Sequence, residues 1–244
     1  MVRALDFSQL KALYINCTLK KSPRESHTDT LMEVSKSIMK KENVEVDSIR
    51  FIDHQVAPGV FADMTEYGWD VDAWPAIFER VMAADILIIG TPIWLGEKSS
   101  EAQKLIERLY AMSGQTKDNG QYIYYGKVGG CIITGNEDGV KHCAMGILYA
   151  LQHIGYSIPP QADAGWIGAI GPGPSYGDTT WNDKSLDPPA GFDSDFTNKN
   201  TTFMTYNLLH LAMILKQNKG YSNYGNSNAD WNDGKRWNFE PPTS

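Results

Sequence analysis

Cysteine is scarce: Cys17, Cys131 and Cys143 are the whole complement in 244 residues. No two of them have CxxC spacing, which argues against a zinc site and a disulfide framework and fits a reducing compartment. No apolar run approaches the roughly 18 residues of a membrane span, and the opening MVRALDFSQLK lacks the apolar stretch of a signal peptide. A cytoplasmic chain is expected, in which N-x-T at Asn16 and Asn200 carries no meaning for glycosylation. Beyond short pairs such as Lys40-Lys41 there is no basic cluster, and the formal charge is -7. A nucleic-acid partner is therefore not expected, because duplex binding needs a basic face. A small anionic ligand needs only local positive potential and stays open. Metal-ligand spacing is absent too: His142 and His153 have no matching Cys or Asp, and the aspartates from Asp178 to Asp195 lack the EF-hand pattern. There is no internal repeat.

What remains is 42% hydrophobic and 21% charged, the balance of a globular chain long enough for one well-filled core. Lys11 to Cys17 (KALYINC) reads as a first strand. A polar loop follows, then a helix from His27 to Lys41 with Leu31, Val34 and Ile38 on one face and Ser26 with Asp29 as a capping box. Val44 to Asp53 is the second strand. Trp74, Ile77, Phe78, Val81 and Met82 mark an amphipathic helix over Asp72 to Ala84, with Pro75 in its first turn. Asp85 to Gly90 is the third strand, and Ser100 to Met112 the next helix, with Ser100 and Gln103 as its capping box. Lys127 to Thr134 is a fourth strand, apolar throughout as suits burial on both faces. Asp138 is the expected cap of a helix that turns Cys143, Ile147, Leu148, Leu151 and Ile154 inward and stops at Gly155. A fifth strand falls within Tyr156 to Ile167. The stretch 169–200 has no periodicity and is too long for a plain connection, so an insertion or lid is expected there. A last helix from Thr202 to Gln217 and a surface arm over 220–244 complete the single domain.

Buried strands alternating with amphipathic helices imply a doubly wound, five-stranded parallel sheet of order 2-1-3-4-5 with helices on both faces. In such a sheet ligands bind beyond the carboxyl ends of the strands, at the switch point between strands 1 and 3. That rule selects three loops. The first holds Thr18, Lys20, Ser26, His27 and Thr28 ahead of a helix N-terminus, the hydroxyls, cation and free N–H groups that suit a phosphate monoester. No glycine-rich dinucleotide fingerprint or P-loop follows this strand, so a mononucleoside phosphate is preferred to NAD or ATP as the resident cofactor. The second is rigid: Pro92 stiffens it, Ile93, Trp94 and Leu95 offer apolar cover, and Gly96 allows close backbone approach to a flat heteroaromatic ring. Trp94 as simple rim packing is the plain alternative. The third, Thr134, Gly135, Asn136, Glu137 and Gly139, is short and polar and can donate to ring carbonyls. Cys17, beside the first loop, is either a thiol of lowered pKa or a buried structural one. Gly165 to Asp178, with Trp166 and Tyr176, reads as cover for this edge, and Tyr122, Tyr124 and Tyr125 as a further part of the same wall.

These pieces (NCTLKKSPRESHT after strand 1, AADILIIGTPIWLGEKSS around strand 3, TGNEDG after strand 4) resemble the flavodoxin-fold NAD(P)H-dependent FMN reductases and quinone reductases, over about Lys11 to Gly168. The first loop is longer than that family's usual Ser/Arg/Ser/Thr version, which leaves all five of its candidates open. The resemblance implies FMN, with its phosphate on the first loop, its ring along Pro92 to Gly96 and its pyrimidine end at Thr134 to Gly139. It also implies NADPH or NADH as co-substrate, hydride passing through the flavin to a quinone, free flavin or similar small acceptor, and a homo-oligomer. No catalytic side chain is required, because the cofactor carries the reaction. An electron-carrying flavodoxin without NAD(P)H turnover is the principal alternative, and a binding module that has lost FMN a third.

Overall fold

The computed structural model describes residues 6–171 and 173–242. The first residues of the N-terminal stretch, Pro172 of the expected lid and residues 243–244 of the expected arm lie outside the described residues. Five parallel strands form the sheet: β1 (Lys11–Asn16), β2 (Glu45–Arg50), β3 (Ile86–Trp94), then β5 (Val128–Gly135) and β6 (Asp163–Ile167). Their spatial order is β2-β1-β3-β5-β6, the expected 2-1-3-4-5 once a short antiparallel strand, β4 (Glu97–Lys98), is set aside as the return arm of a hairpin on β3. The fold is flavodoxin-like.

Alternation along the central strands divides the core in two. Leu13, Ile15, Leu87, Ile89, Cys131 and Ile133 face α2 (Trp74–Ala83), α3 (Ser100–Met112) and α4 (Val140–Ile154). Tyr14, Ile86, Ile88, Val128 and Ile132 face α1 (His27–Lys41) and α5 (Asp195–Gln217). Both faces are covered, which is why these strands read as continuous apolar runs.

Several boundaries differ from expectation, each for a local reason. β3 does not stop at Gly90 but runs on to Trp94, because Thr91 and Pro92 still pair with Ile133 and Thr134 of β5. Pro92 is tolerated there. Gly90 O accepts from Cys17 N (2.7 Å), so two residues on the amide of Pro92 points the same way, past the end of β1, where no ladder bond is missed. β2 is an edge strand and gives way after Arg50 to a single 3-10 turn, Phe51–Asp53. The cap of α3 is Ser99, whose hydroxyl accepts from Ala102 N (3.2 Å), rather than Ser100. α4 starts from Gly139 with no side-chain cap, and Asp138 stands one residue outside it. α5 begins at Asp195, not Thr202. Its first turns bury Thr197, Thr201 and Thr205, whose placement on the inner face an apolar count does not register. Thr197 and Thr205 satisfy their hydroxyls on the carbonyls of Gly165 and Thr201.

The long connection from β2 to α2 is organised by one carboxylate. Asp72 accepts from the backbone N–H groups of Ala57 (3.2 Å), Met64 (3.0 Å) and Trp74 (3.1 Å), and from Nη2 of Arg108 on α3 (2.7 Å). Both charged side chains are fully buried, and Arg108 Nη2 also donates to Ala62 O (3.2 Å). Burying a charge is tolerable only while its partner is present. Asp72→Ala is therefore expected to destabilise the fold by about 3–5 kcal/mol, the range for an orphaned buried ion, and denaturant unfolding of the variant against the parent chain measures it.

Candidate functional site

The carboxyl ends of β1, β3 and β5 open on a cavity of about 430 Å³, within the range of about 300–1,000 Å³ typical of cofactor sites. It lies at the point where the strand order reverses between β1 and β3. At one end are Thr18, Lys20, Ser26, His27 and Thr28; along one side are Pro92, Ile93 and Trp94; next to these, continuing from the paired strand β5, are Thr134, Gly135, Asn136 and Glu137. Leu19, Trp166, Gly171, Ser175 and Tyr176 complete the lining.

The first end is built by α1. Ser26 caps the helix, accepting from Asp29 N (3.2 Å) and from Asn16 Nδ2 (3.1 Å), so its own hydroxyl hydrogen is free to donate. Thr30 N reaches back to Ser26 O (3.0 Å). The N–H groups of His27 and Thr28, which a helix cannot satisfy internally, point out of its N-terminus. The loop before the helix is pinned by Asp53, which accepts from Ser22 N (3.0 Å) and Ser22 Oγ (2.5 Å). The Ser22 hydroxyl holds the Asp53 carboxyl below its ordinary range. Thr28 and Thr134 join the α1 end of the cavity to the carboxyl end of β5 through their hydroxyls (2.7 Å).

The rigid loop after Gly90 is a two-residue hairpin. Leu95 and Gly96 both have positive φ (51° and 77°), the combination a type I′ turn requires. The hairpin is held by the loop after β5 and by α4. Leu95 N donates to Glu137 Oε1 (2.9 Å), Cys143 Sγ contacts Gly96 O (3.6 Å), and His142 Nε2 lies 2.5 Å from Glu97 Oε1. Gly139, at φ 135°, packs directly on Gly96; a Cβ on it would stand 2.6 Å from Gly96 O. Leu95, Gly96 and Gly139 are thus scaffold of the hairpin rather than lining, and Leu95 is 93% exposed. Trp94, 56% exposed, stands at the mouth.

Other expectations are redistributed. Tyr124 is buried in the core with its hydroxyl on Leu109 O (2.8 Å). Tyr122 and Tyr125 line a separate cleft with Tyr110 and His153. They precede β5 and so lie at the amino edge of the sheet, which corrects their placement in the wall of the cavity. The arm docks there as well, through Gln121 Nε2 on Ser222 O (3.0 Å) and Asn226 Oδ1 (2.8 Å). Cys17 is fully buried, and burial pushes its thiol well above the ordinary range, as it does for Cys131. That overturns a lowered pKa. No group of three metal-ligating side chains occurs among the described residues, and no helix is long and apolar enough to cross a membrane. Trp166, Gly171, Ser175 and Tyr176 come from the Gly165–Asp178 stretch expected as cover for this edge, whereas Leu19 carried no signal of its own and is brought in by the course of its loop.

The fold and the crevice at its carboxyl edge define a flavodoxin-like protein whose polar and aromatic lining suits a phosphorylated flat ligand. The chain belongs to the NADPH-dependent FMN reductase family, whose model matches residues 10–165. It is 36% identical over 219 residues (85% of this chain, 79% of the relative) to the 8-demethyl-8-aminoriboflavin-5'-phosphate synthase of Streptomyces davaonensis. It is 58% identical over 211 residues to a Mycobacterium bovis protein named divalent metal cation transporter MntH, a match spanning 86% of this chain but 30% of that relative. Among solved structures, RosB with bound 8-demethyl-8-formylriboflavin-5'-phosphate superposes with a TM-score of 0.79 at 33% identity, covering 96% of this chain and 91% of that one. A flavone reductase superposes with a TM-score of 0.53 at 13% identity, covering 86% of this chain and 64% of that one, and shares the fold alone.

Two outcomes test this geometry. Gly139→Ala is expected to cost about 1–3 kcal/mol, the range for backbone strain at such a position, and to loosen the hairpin, seen as lowered thermal stability with a shifted Trp94 fluorescence. The three thiols are expected to resist a disulfide reagent at pH 8 in the native protein and all to react once it is unfolded. Their raised folded values mean that the associated stability is whole below the unfolded thiol pKa of about 8.5 and declines as pH rises above it.

Proposed function

We propose that the protein binds FMN in the carboxyl-edge cavity and passes hydride from NAD(P)H to a small acceptor such as a quinone or free flavin. The observation that carries this reading is the convergence of three chemically different walls on one cavity of the right size. Hydroxyls of Thr18, Ser26 and Thr28, the Lys20 ammonium and the open N–H groups of α1 suit a phosphate monoester. Pro92, Ile93 and Trp94 supply a firm, largely apolar side for a flat ring, and Thr134 to Glu137 supply polar groups beside it. When bound, FMN would supply the hydride chemistry itself. The chain's part is to hold and orient it, to keep water from one face, and to leave the Trp94 mouth open for a nicotinamide or an acceptor. On this reading His27 contributes its backbone N–H rather than its ring, and Leu95, Gly96 and Gly139 act by holding the hairpin. We further propose a single domain, a homo-oligomer and a cytoplasmic setting.

A second reading is favoured by the near full-length relation to the aminoriboflavin-phosphate synthase: the bound flavin phosphate is the reactant, altered on its ring. One experiment separates them. Purified protein is expected to take up FMN and turn yellow, to bleach with NADPH or NADH, and to recover colour with a quinone, an azo dye or free FMN. Mass analysis of the flavin after turnover should return unchanged FMN; a modified flavin supports the second reading. Bound FMN without NAD(P)H turnover returns the chain to an electron carrier, and a protein that takes up no FMN sinks both. Thr28→Val is expected to weaken FMN binding about tenfold, the effect of losing one hydrogen bond to a charged group.

A further inference from the structure

The ring of His27 and the side-chain amide of Asn136, both at the cavity lining, bond to the same piece of chain. Asn136 Nδ2 donates to Gly173 O (2.8 Å) and Pro174 O (2.7 Å), and its Oδ1 accepts from Ser175 Oγ (3.3 Å). All of its amide chemistry is thereby directed at residues 173–175. His27 Nδ1 accepts from Gly177 N (3.2 Å). A nitrogen that accepts carries no proton, so the neutral ring must hold its hydrogen on Nε2, and Nε2 lies 3.4 Å from Asp178 Oδ1. Asp178 is oriented in turn, since its Oδ2 accepts from Ser175 N (2.6 Å) and its own N–H closes the turn on Ser175 O (3.0 Å). Between these attachments Tyr176 is buried against Trp166 and Phe192, with ring centroids 5.7 and 5.4 Å away.

The 173–178 segment is thus fixed at both ends, by the loop after β5 through Asn136 and by the start of α1 through His27. It supplies Ser175 and Tyr176 to the cavity lining beside Trp166. We propose that His27 and Asn136 are positioning residues: they fasten residues 173–178 as the outer wall of the cavity, and the wall sets how long a phosphorylated flavin stays bound. Neither side chain is a ligand contact. The reading rests on the cavity being the flavin site, but the fastening is tested separately, on protein without flavin.

The variants are His27→Ala, which removes both ring contacts; His27→Asn, whose Oδ1 stands near the Nδ1 position and can still accept from Gly177 N; and Asn136→Asp, which keeps the shape but has no donors for Gly173 O and Pro174 O. Hydrogen exchange on the ligand-free protein is the first measurement. Peptides spanning 173–178 are expected to exchange about tenfold faster in His27→Ala and Asn136→Asp, with those from β1, β3 and β5 unchanged and His27→Asn close to the parent. Stopped-flow flavin fluorescence is the second. FMN release is expected to be about tenfold faster in the two disruptive variants, association within about twofold of the parent, and release largely restored in His27→Asn; tenfold is the loss of roughly one hydrogen bond's worth of restraint. Unchanged exchange in both disruptive variants would overturn the fastening. Faster exchange with unchanged release would overturn the wall's role in retention. Equal loss in His27→Asn and His27→Ala would overturn the assignment of the Nδ1 bond. If the parent binds no FMN, the exchange result still decides the fastening while the flavin reading alone fails.

Discussion

The carboxyl edge of this sheet depends on a backbone contact. Gly96, at the tip of the β3–β4 hairpin, and Gly139, at the start of α4, sit so close that a single methyl group on Gly139 would stand 2.6 Å from Gly96 O. Because they touch, the extension of β3 beyond Gly90 is held against the loop that leaves β5. Glu137 and His142 then reach the hairpin by hydrogen bonds to Leu95 and Glu97. The result is a fixed angle between the Pro92–Trp94 side of the cavity and the Thr134–Glu137 side. A crevice that must accept a flat molecule needs that angle before the ligand arrives, since preorganisation lowers the cost of binding.

The same contact shows how the two halves of the site divide their tasks. The α1 end is electrostatic: a capped helix N-terminus, buried hydroxyls and one ammonium, all within the reach of a small anion. The hairpin end is steric, with Trp94 at the mouth and Ile93 buried beneath it. Of the titratable side chains at these walls, His27 is engaged by Gly177 N and Asp178 and Glu137 by Leu95 N, and the buried thiols are held protonated by desolvation. Such an arrangement suits a protein that lends position to a cofactor or to a flavin substrate.

Much of the fold was legible because its strands are buried on both faces and its helices on one. Lys11 to Asn16, Ile86 to Gly90 and Val128 to Thr134 read as strands directly, and the i, i+3, i+4 pattern of α2 to α4 needed no help from context. Where reading failed, the signal was not apolar. The early turns of α5 bury threonines, and Asp138 looks like a cap although the glycine after it is the residue that turns. The hairpin was hidden for a similar reason: Leu95 adopts φ 51°, which only its surroundings can impose on a leucine. At the site, the loop rule singled out the three walls, while Asn136 and His27 illustrate its limit. Their type and place invite a role as ligand donors, yet both side chains bond to residues 173–178, a partner far along the chain that no local pattern announces.

By itself the sequence determined the alternation of buried strands and amphipathic helices, the strand order that follows from it, and the three loops bound to gather at the switch point. Those are consequences of periodicity and chain connectivity, which are local or nearly so. Only the tertiary structure decided which side chains face the cavity and which fasten its walls, that Tyr122 and Tyr125 belong to the opposite edge, and that the Cys17 thiol is shut away from solvent. Those outcomes depend on which surfaces remain after distant segments have packed, and side-chain hydrogen bonds across more than a hundred residues leave no periodic trace.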